Sequence, residues 1–581
     1  MRKRLAPMSK GRFAVQALLI YCWLTVLSPL AVTDTYYSVY LLCAVFGLLC
    51  LMDNQTSGIY CGDRQKLWLG LFAGLFSGAV ALANYGLFAP LSVLQNLFDL
   101  ACVLAGGWVV GYQILLCLLH RLPLETRREE RKHPGLVFAG AFFGIAAIDL
   151  AYLLLALYPG VLTTDSFSTL AQFLGTGGYD NIMPFWHTIL VQPFVQLGLR
   201  VFGDINAAVA LFHGAQILFM ALCFAYAIMT LYQMGLPRWL LLAAFAVYGL
   251  LPHNIVYSVT LWKDIPFAGA AVLLVTALYR LLKNLGRHRW MDWTLFVVGA
   301  MGFSLWRTNG WYAFLVLTLL MLILTGRRRK KMLIVMLVVL VLGWALIGPV
   351  LDALGVRGTN FVEAFGIPMQ QIARVLHNGG NVSESDLEML SQIFLVDRVI
   401  ELYDPGTVDP VKFNTFHYSQ VPYLMEHLGE YIRLYLRLGM QNPGEYLKAW
   451  VEQTKGYWNG GYKFWTYTLL MGNNDLGIYQ TPGDNPVAKL FAAWFRYVEK
   501  PEILQCLISI GLHVWTLVAC AVVNGLKKRE EGLMTVPILV LIAGLWLGTP
   551  VFAEFRYAYP MILTMPVILA ATVFEPREAE E

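Results

Sequence analysis

Residues 258–289 read SVTLWKDIPFAGAAVLLVTALYRLLKNLGRHR. Two charges, Lys263 and Asp264, stand immediately before an apolar run at 265–282, and a basic cluster, Arg280 to Arg289, closes it. A helix needs about 20 apolar residues to cross the hydrocarbon of a bilayer, so this stretch has the length and the flanks of a transmembrane helix. Lys/Arg clusters mark cytoplasmic loops. The rule predicts Arg280–Arg289 on the cytoplasmic side and the Lys263–Asp264 turn on the other.

Working outward, similar runs recur at 13–32, 36–52, 67–88, 97–119, 136–157, 207–232, 239–258, 293–306, 310–325, 332–351, 503–523, 533–549 and 559–574. With 265–282 they make about fourteen crossings by the length rule. The composition agrees: 58% of the chain is hydrophobic and 14% charged, against about 25% charged in a soluble globule. The fold class expected is therefore an all-α polytopic membrane protein. The formal net charge of +5 is carried by clusters beside apolar runs, where it orients helices; it gives no reason to expect a nucleic-acid partner. Eight of the nine cysteines fall in apolar stretches without metal-ligand spacing, the exception being Cys61, and read as small core residues. The run at 13–32 is longer than a signal-peptide core and counts as the first span.

Parity decides a further point. If the apolar stretch 187–202 crossed the membrane, the clusters Arg121–Lys132 and Arg280–Arg289 would lie on opposite sides; if it lies along the interface or re-enters, these clusters join Arg2–Arg12, Arg327–Lys331 and Lys527–Arg529 on the cytoplasmic face. The second scheme satisfies the rule. It divides the chain into a four-span extension with a basic loop (1–133), a transmembrane core with a first outer loop at 158–206 (134–351), a mainly helical extracytoplasmic domain (352–502), and C-terminal spans with a tail (503–581). The third region, rich in turn residues, has helical candidates at 361–376, 384–394 and 419–440. It holds no cysteine, so packing rather than disulfides must stabilise it.

Charges at membrane depth are costly and usually paired or functional, and here many fall on one face. The first outer loop, YPGVLTTDSFSTLAQFLGTGGYDNIMPFWHTILVQPF (158–194), carries Asp165, Asp180 and His187. The 258–267 turn carries Lys263 and Asp264, LWRTNGWY (305–312) carries Arg307 and Asn309, and TPVFAEFRYAYP (549–560) carries Glu554, Arg556 and Tyr557. Carboxylates gathered at such a mouth can take a proton from an attacking hydroxyl or bind a divalent metal, while Arg and Lys stabilise a phosphate leaving group. The plainer readings stay beside this one. Asp165 can cap a helix, Asp180 sits in an ordinary Gly-Gly-Tyr-Asp-Asn turn, and Arg307 and Arg556 can merely anchor spans. The aromatic group Tyr457, Trp458, Tyr462, Trp465 and Tyr467 suits sugar stacking or an interfacial belt equally. Asp99 and Asp149, inside spans, suit hydrogen bonding within the bundle better than an ion path.

The loop with Asp165, the segment from Pro184 and His187 to Phe202-Gly203, and Asp264 on a later turn resemble the GT-C superfamily of polyprenyl-phosphate-sugar-dependent glycosyltransferases. The stretches Tyr158-Pro159-Gly160…Asp165, Leu261–Asp264 and Gly366–Arg374 are similar to an uncharacterised family of bacterial membrane proteins in that clan, over roughly residues 136–574. The resemblance implies an inverting transferase of the cell envelope, embedded in the plasma membrane and working on its extracytoplasmic side. Its donor would be a lipid-linked sugar and its acceptor a glycolipid, a wall polymer or a protein. It implies Asp165, Asp264 and Asp180 as catalytic carboxylates, with His187, Lys263, Arg307, Asn309, Gln370, Gln371, Arg374 and Arg556 binding substrate. A divalent cofactor, Mg or Mn, would sit at Asp165, although a lone carboxylate there departs from the acidic pair of better-known members. Two other classes compete: a transporter or lipid flippase, which predicts paired halves that the sequence does not display, and a surface protein whose outer domain binds a partner.

Overall fold

The computed structural model describes residues 3–4, 10–27, 45, 60–88, 92–120, 124–127, 131–175, 178–285, 289–358, 362, 365–462, 465–500, 505–548 and 551–577. Among them, nine helices are long and apolar enough to cross a membrane: Asp63–Ala83, Val93–His120, Pro134–Ala156, Ile205–Gln233, Asp264–Lys283, Thr308–Thr325, Lys330–Ala353, Glu530–Leu547 and Phe555–Val573. A tenth is made if Arg238–Leu250 and Pro252–Ser258, bent by 47°, form one span. The protein is an all-α polytopic membrane protein. The runs at 13–32, 293–306 and 503–523 form the helices Lys10–Leu27, Arg289–Leu305 and Ile510–Leu526, of 17 or 18 residues each. At 1.5 Å per residue these are about 26 Å long, somewhat under the thickness of the hydrocarbon. The run at 36–52 lies, but for Val45, outside the described residues, as do parts of the basic clusters at 2–12, 121–132 and 280–289.

The chain forms two compact units. The first comprises Met1–Arg127, Val514–Gly532 and Leu569–Glu581. Here small residues let helix backbones approach: a Cβ on Gly107 would stand 3.2 Å from Ser77 Oγ, and one on Gly111 3.1 Å from Ala73 Cα. Ser77 Oγ donates to the Leu104 carbonyl at 2.5 Å across the same contact.

The second unit comprises Arg128–His513 and Leu533–Ile568. Its axis is Asp264–Lys283, the one candidate span whose apolar window is 100% buried inside the protein. That burial explains its Ala- and Gly-rich first half, since Ile205–Gln233 and Arg289–Leu305 pack directly on it. A Cβ added at Gly299 would lie 2.6 Å from the Leu274 amide nitrogen. At the C-terminal end of this axis Arg280 Nε meets Asp292 Oδ1 at 2.6 Å, Tyr226 OH donates to the same oxygen at 2.7 Å, and Arg280 Nη1 donates to Thr230 Oγ1 at 3.2 Å. Both charged partners are buried, so truncating one strands the other. We expect Asp292→Ala to cost about 3–5 kcal/mol, read as a lowered Tm of the purified protein in detergent; an unchanged Tm would refute the pairing.

Phe185–Phe202 contains Pro193 and is not among the candidate spans. Its buried Val191 and Val195 pack with Ala208 and Phe212 of the next helix. Gly203, at φ 67°, ends it in the left-handed conformation that glycine adopts without strain, and Asp204 Oδ2 accepts from Ala207 N at 2.8 Å to start Ile205–Gln233. Residues 362–457 fold as short helices, among them Gly366–His377, Glu384–Ser391, Leu428–Gln441 and Pro443–Thr454, around Val375, Leu390, Val411, Leu434 and Leu438.

Candidate functional site

The loop after Pro134–Ala156 is fastened to the turn before Asp264–Lys283 by backbone bonds. Val161 N donates to Val259 O at 2.8 Å, and Leu261 N donates to Val161 O at 3.2 Å. Gly160 has φ 117°, with its Cα facing His213 and the Val259 carbonyl so closely that a Cβ would collide with both; only glycine satisfies that position. His213 Nδ1 donates to the Pro159 carbonyl at 2.6 Å, and Ser166 Oγ donates to the Leu261 carbonyl at 2.9 Å. Thr163, whose hydroxyl accepts from Trp262 Nε1 at 2.7 Å, caps the helix Thr164–Leu174. Asp165, in the first turn of that helix, is thereby held beside Lys263 and Asp264.

Two arginines from later spans complete the group. Arg307, the N-cap of Thr308–Thr325, places Nη1 2.7 Å from Asp264 Oδ1, with the carboxylate 1% exposed. Arg556, in the first turn of Phe555–Val573, donates through Nη1 to Asp165 Oδ2 at 2.7 Å and through Nε to Glu554. Tyr557 stands between the two guanidinium groups, 4.6 Å from that of Arg307 and 4.9 Å from that of Arg556. Trp262 lies against Arg556 at 5.2 Å. Trp465 reaches the same place, its ring centroid 6.1 Å from that of Trp262, and Tyr257 OH donates to the Thr466 carbonyl at 2.5 Å. Residues 465–467 thus lie against the charged group.

The electrostatics are uneven. Burial raises the Asp165 carboxyl, but Arg556, Lys263 and Arg307 together outweigh it and hold the group below its ordinary value. Burial lowers the Lys263 ammonium, against the opposing pull of Asp165 and Asp264. Its sole hydrogen-bond partner among the described residues is the Met183 thioether, at 3.7 Å. Glu554 is raised, because burial exceeds the effect of Arg556. Three cations face three carboxylates, of which burial makes Glu554 easier to protonate, so the group leans positive. It suits an anion such as a phosphate.

His187 is 1% exposed, and neither ring nitrogen has a hydrogen-bond partner among the described residues. Burial first, and the Lys263 charge second, push its pKa down to about 3. The unfolded chain binds a proton there near pH 6.5 and the folded chain does not, so the contribution of neutral His187 is complete above pH 6.5 and is lost as the pH falls toward 3. At pH 5 the loss is about 2 kcal/mol. Between pH 7 and 5 the Tm of the parent should fall more than that of His187→Gln; parallel profiles would refute the burial of a neutral ring.

The other residues singled out in the sequence lie elsewhere. Asp180 Oδ1 accepts from Gln172 Nε2 and from Ile182 N, both at 3.0 Å, and orders its own turn. Asn309 is exposed on the first turn of its helix. Gln370 donates to the Asp404 carbonyl at 2.5 Å, Gln371 to the Tyr446 carbonyl at 3.1 Å, and Arg374 pairs with Glu445 at 2.8 Å. These bonds tie Gly366–His377 into its own domain. Asp149 is buried within its span, and Tyr457 and Trp458 are buried in the protein. Sequence reasoning passed over Trp262, whose indole both fixes Thr163 and flanks Arg556; its place beside Lys263 was the available signal.

As for a metal, Asp165 and Glu554 face the guanidinium of Arg556 and Asp264 faces that of Arg307, so the carboxylates are arranged around arginines rather than around a shared cation site. Among the described residues no three His, Cys, Asp or Glu side chains are grouped to hold an ion.

No curated protein and no solved structure gives a significant match to this chain. One protein family does match, over residues 180–581, a range that includes Lys263, Asp264, Arg307, Glu554 and Arg556 and begins after Asp165. Since the match spans well over half its length, the chain belongs to the family of unknown function DUF6020.

Proposed function

We propose that the protein is a membrane glycosyltransferase with a GT-C-like bundle of about fourteen spans, which moves a sugar from a polyprenyl-phosphate donor to an acceptor at the extracytoplasmic face of the plasma membrane. The observation that carries this reading is the convergence of Asp165, Lys263, Asp264, Arg307, Glu554 and Arg556, from four separate stretches, into one buried, positively leaning group. The side follows from the basic clusters. Arg280 and Lys283 lie at the far end of the helix that begins with Asp264, and placing them in the cytoplasm puts the charged group on the outer side.

The donor phosphate is held by Arg307, Arg556 and Lys263. As it engages Arg556 it competes with Asp165 for the guanidinium and releases the carboxylate to act as base. The acceptor hydroxyl oxygen attacks the anomeric carbon, its proton passes to Asp165, and the bond from that carbon to the phosphate oxygen breaks. Polyprenyl phosphate leaves with the bonding electrons, its charge met by the three cations. Asp264, buried with an oxygen 2.7 Å from Arg307 Nη1, fixes the direction of that guanidinium. Residues 465–467 and the helical domain at 362–457 contribute to the acceptor side.

The test is to supply the purified protein in lipid vesicles with a panel of labelled polyprenyl-phosphate sugars and an envelope extract as acceptor. Label in a covalent product, with release of polyprenyl phosphate, supports the proposal. Label that accumulates inside sealed vesicles without a covalent product would replace it with a transporter.

A further inference from the structure

At the opposite end of the Asp264–Lys283 helix lies a cavity of about 700 Å³, within the range of small-ligand sites. Arg289, Trp290 and Trp293 come to it from the start of Arg289–Leu305, and Arg328, Lys330 and Lys331 from the turn into Lys330–Ile347. Its floor is apolar, made of leucine, valine and methionine side chains. Among the described residues no acidic side chain lines it. The acidic residue of the same helical turn, Asp292, is buried and bonded to Arg280 and Tyr226 instead. Lys331 Nζ stands 5.1 Å from the Trp293 ring centroid, which fixes an ammonium beside an aromatic wall.

We propose that this cavity binds the headgroup of an anionic phospholipid. Four helices begin or end at this level, so it lies at headgroup depth whichever face of the membrane it occupies. Tryptophan and lysine or arginine together are the side chains that prefer that depth. Below them, Ile334, Leu337 and Val341 form an exposed apolar face of Lys330–Ile347 along which an acyl chain can lie. A soluble phosphate would use the cations and leave the tryptophans and this face unused, which favours the lipid.

The experiment uses the full-length protein in detergent, with retention of added lipid followed by native mass spectrometry and Tm measured in parallel. Phosphatidylglycerol should be retained and should raise the Tm, whereas phosphatidylcholine should do neither, and inorganic phosphate at equal concentration should not displace the bound lipid. The triple variant Arg289→Gln, Arg328→Gln, Lys331→Gln should bind phosphatidylglycerol about tenfold or more weakly, with its lipid-free Tm unchanged. Trp290→Ala, at a position 67% exposed and therefore harmless to folding, should weaken retention several-fold and provides the reading if the triple variant folds poorly. Equal retention by the parent and both variants, equal binding of the two lipids, or displacement by inorganic phosphate would each overturn the assignment. The transfer chemistry plays no part in this test, which stands or falls without it.

Discussion

Asp165→Asn should lower sugar transfer by about 10²- to 10⁴-fold, the range a positioned general base contributes, with the protein still folded and still able to take up donor. Asparagine keeps the shape of the side chain, and its amide oxygen can still accept from Arg556. Arg556 keeps Glu554 as its charged partner, so no unpaired charge is sealed in. Without the carboxylate, the donor phosphate no longer competes for Arg556, so KM for the donor should hold or fall while kcat carries the loss. A pH profile separates a base from a strut. Because Asp165 is held below its ordinary value of 3.8, the parent should keep its rate well into acid before protonation removes the base. The variant should lack that limb. Transfer at the parental rate would remove Asp165 from the mechanism, and since the family match begins at residue 180, attention would then turn to the carboxylates inside it, Asp264 and Glu554.

Arg556→Gln should damage both rate and stability, because this guanidinium serves two carboxylates and, in the proposed reaction, the phosphate. Loss of one such donor at a developing charge costs about 10²- to 10³-fold, here in kcat/KM. Stability should fall as well, by about 3–5 kcal/mol, since Glu554 is 8% exposed and Arg556 14% exposed and the carboxylate left behind would be buried without its partner. Arg556→Lys should restore the charge but not the planar fork that reaches Asp165 and Glu554 together, giving an intermediate rate and incomplete recovery of Tm. A variant that loses Tm yet transfers sugar at the parental kcat/KM would reduce Arg556 to a structural tie and sink the phosphate clamp.

Helices were legible because a span announces itself through its own residues. The 265–282 run needs no partner to be read: its apolar length and its flanking charges specify both the element and its ends. The same holds for Gly203 and Asp204, adjacent residues that end one helix and cap the next. The charged group was legible only as a set of names. Lys263 and Asp264 are neighbours, yet Asp264 meets Arg307, Lys263 reaches the Met183 thioether, and Asp165 finds Arg556 across 391 positions of the chain. Gln370, Gln371 and Arg374 illustrate the converse. The resemblance assigned three polar residues of one helix to substrate binding, but each finds a partner inside its own domain, and nothing local in the sequence distinguishes a bond to a ligand from a bond to Asp404, Tyr446 or Glu445.

By itself, the sequence determined that the chain is an all-α membrane protein, where most of its spans lie, and which polar residues stand at their ends; these follow from hydropathy and charge, which are sums over neighbours. Tertiary structure alone decided which of those polar residues meet, that Arg556 rather than another cation holds Asp165, that Trp262 belongs beside them, and that Asp292 turns away from the basic cavity at the other end. Pairing depends on how helices far apart in the chain pack and rotate against one another, and a residue's identity carries no record of which way its helix face is turned.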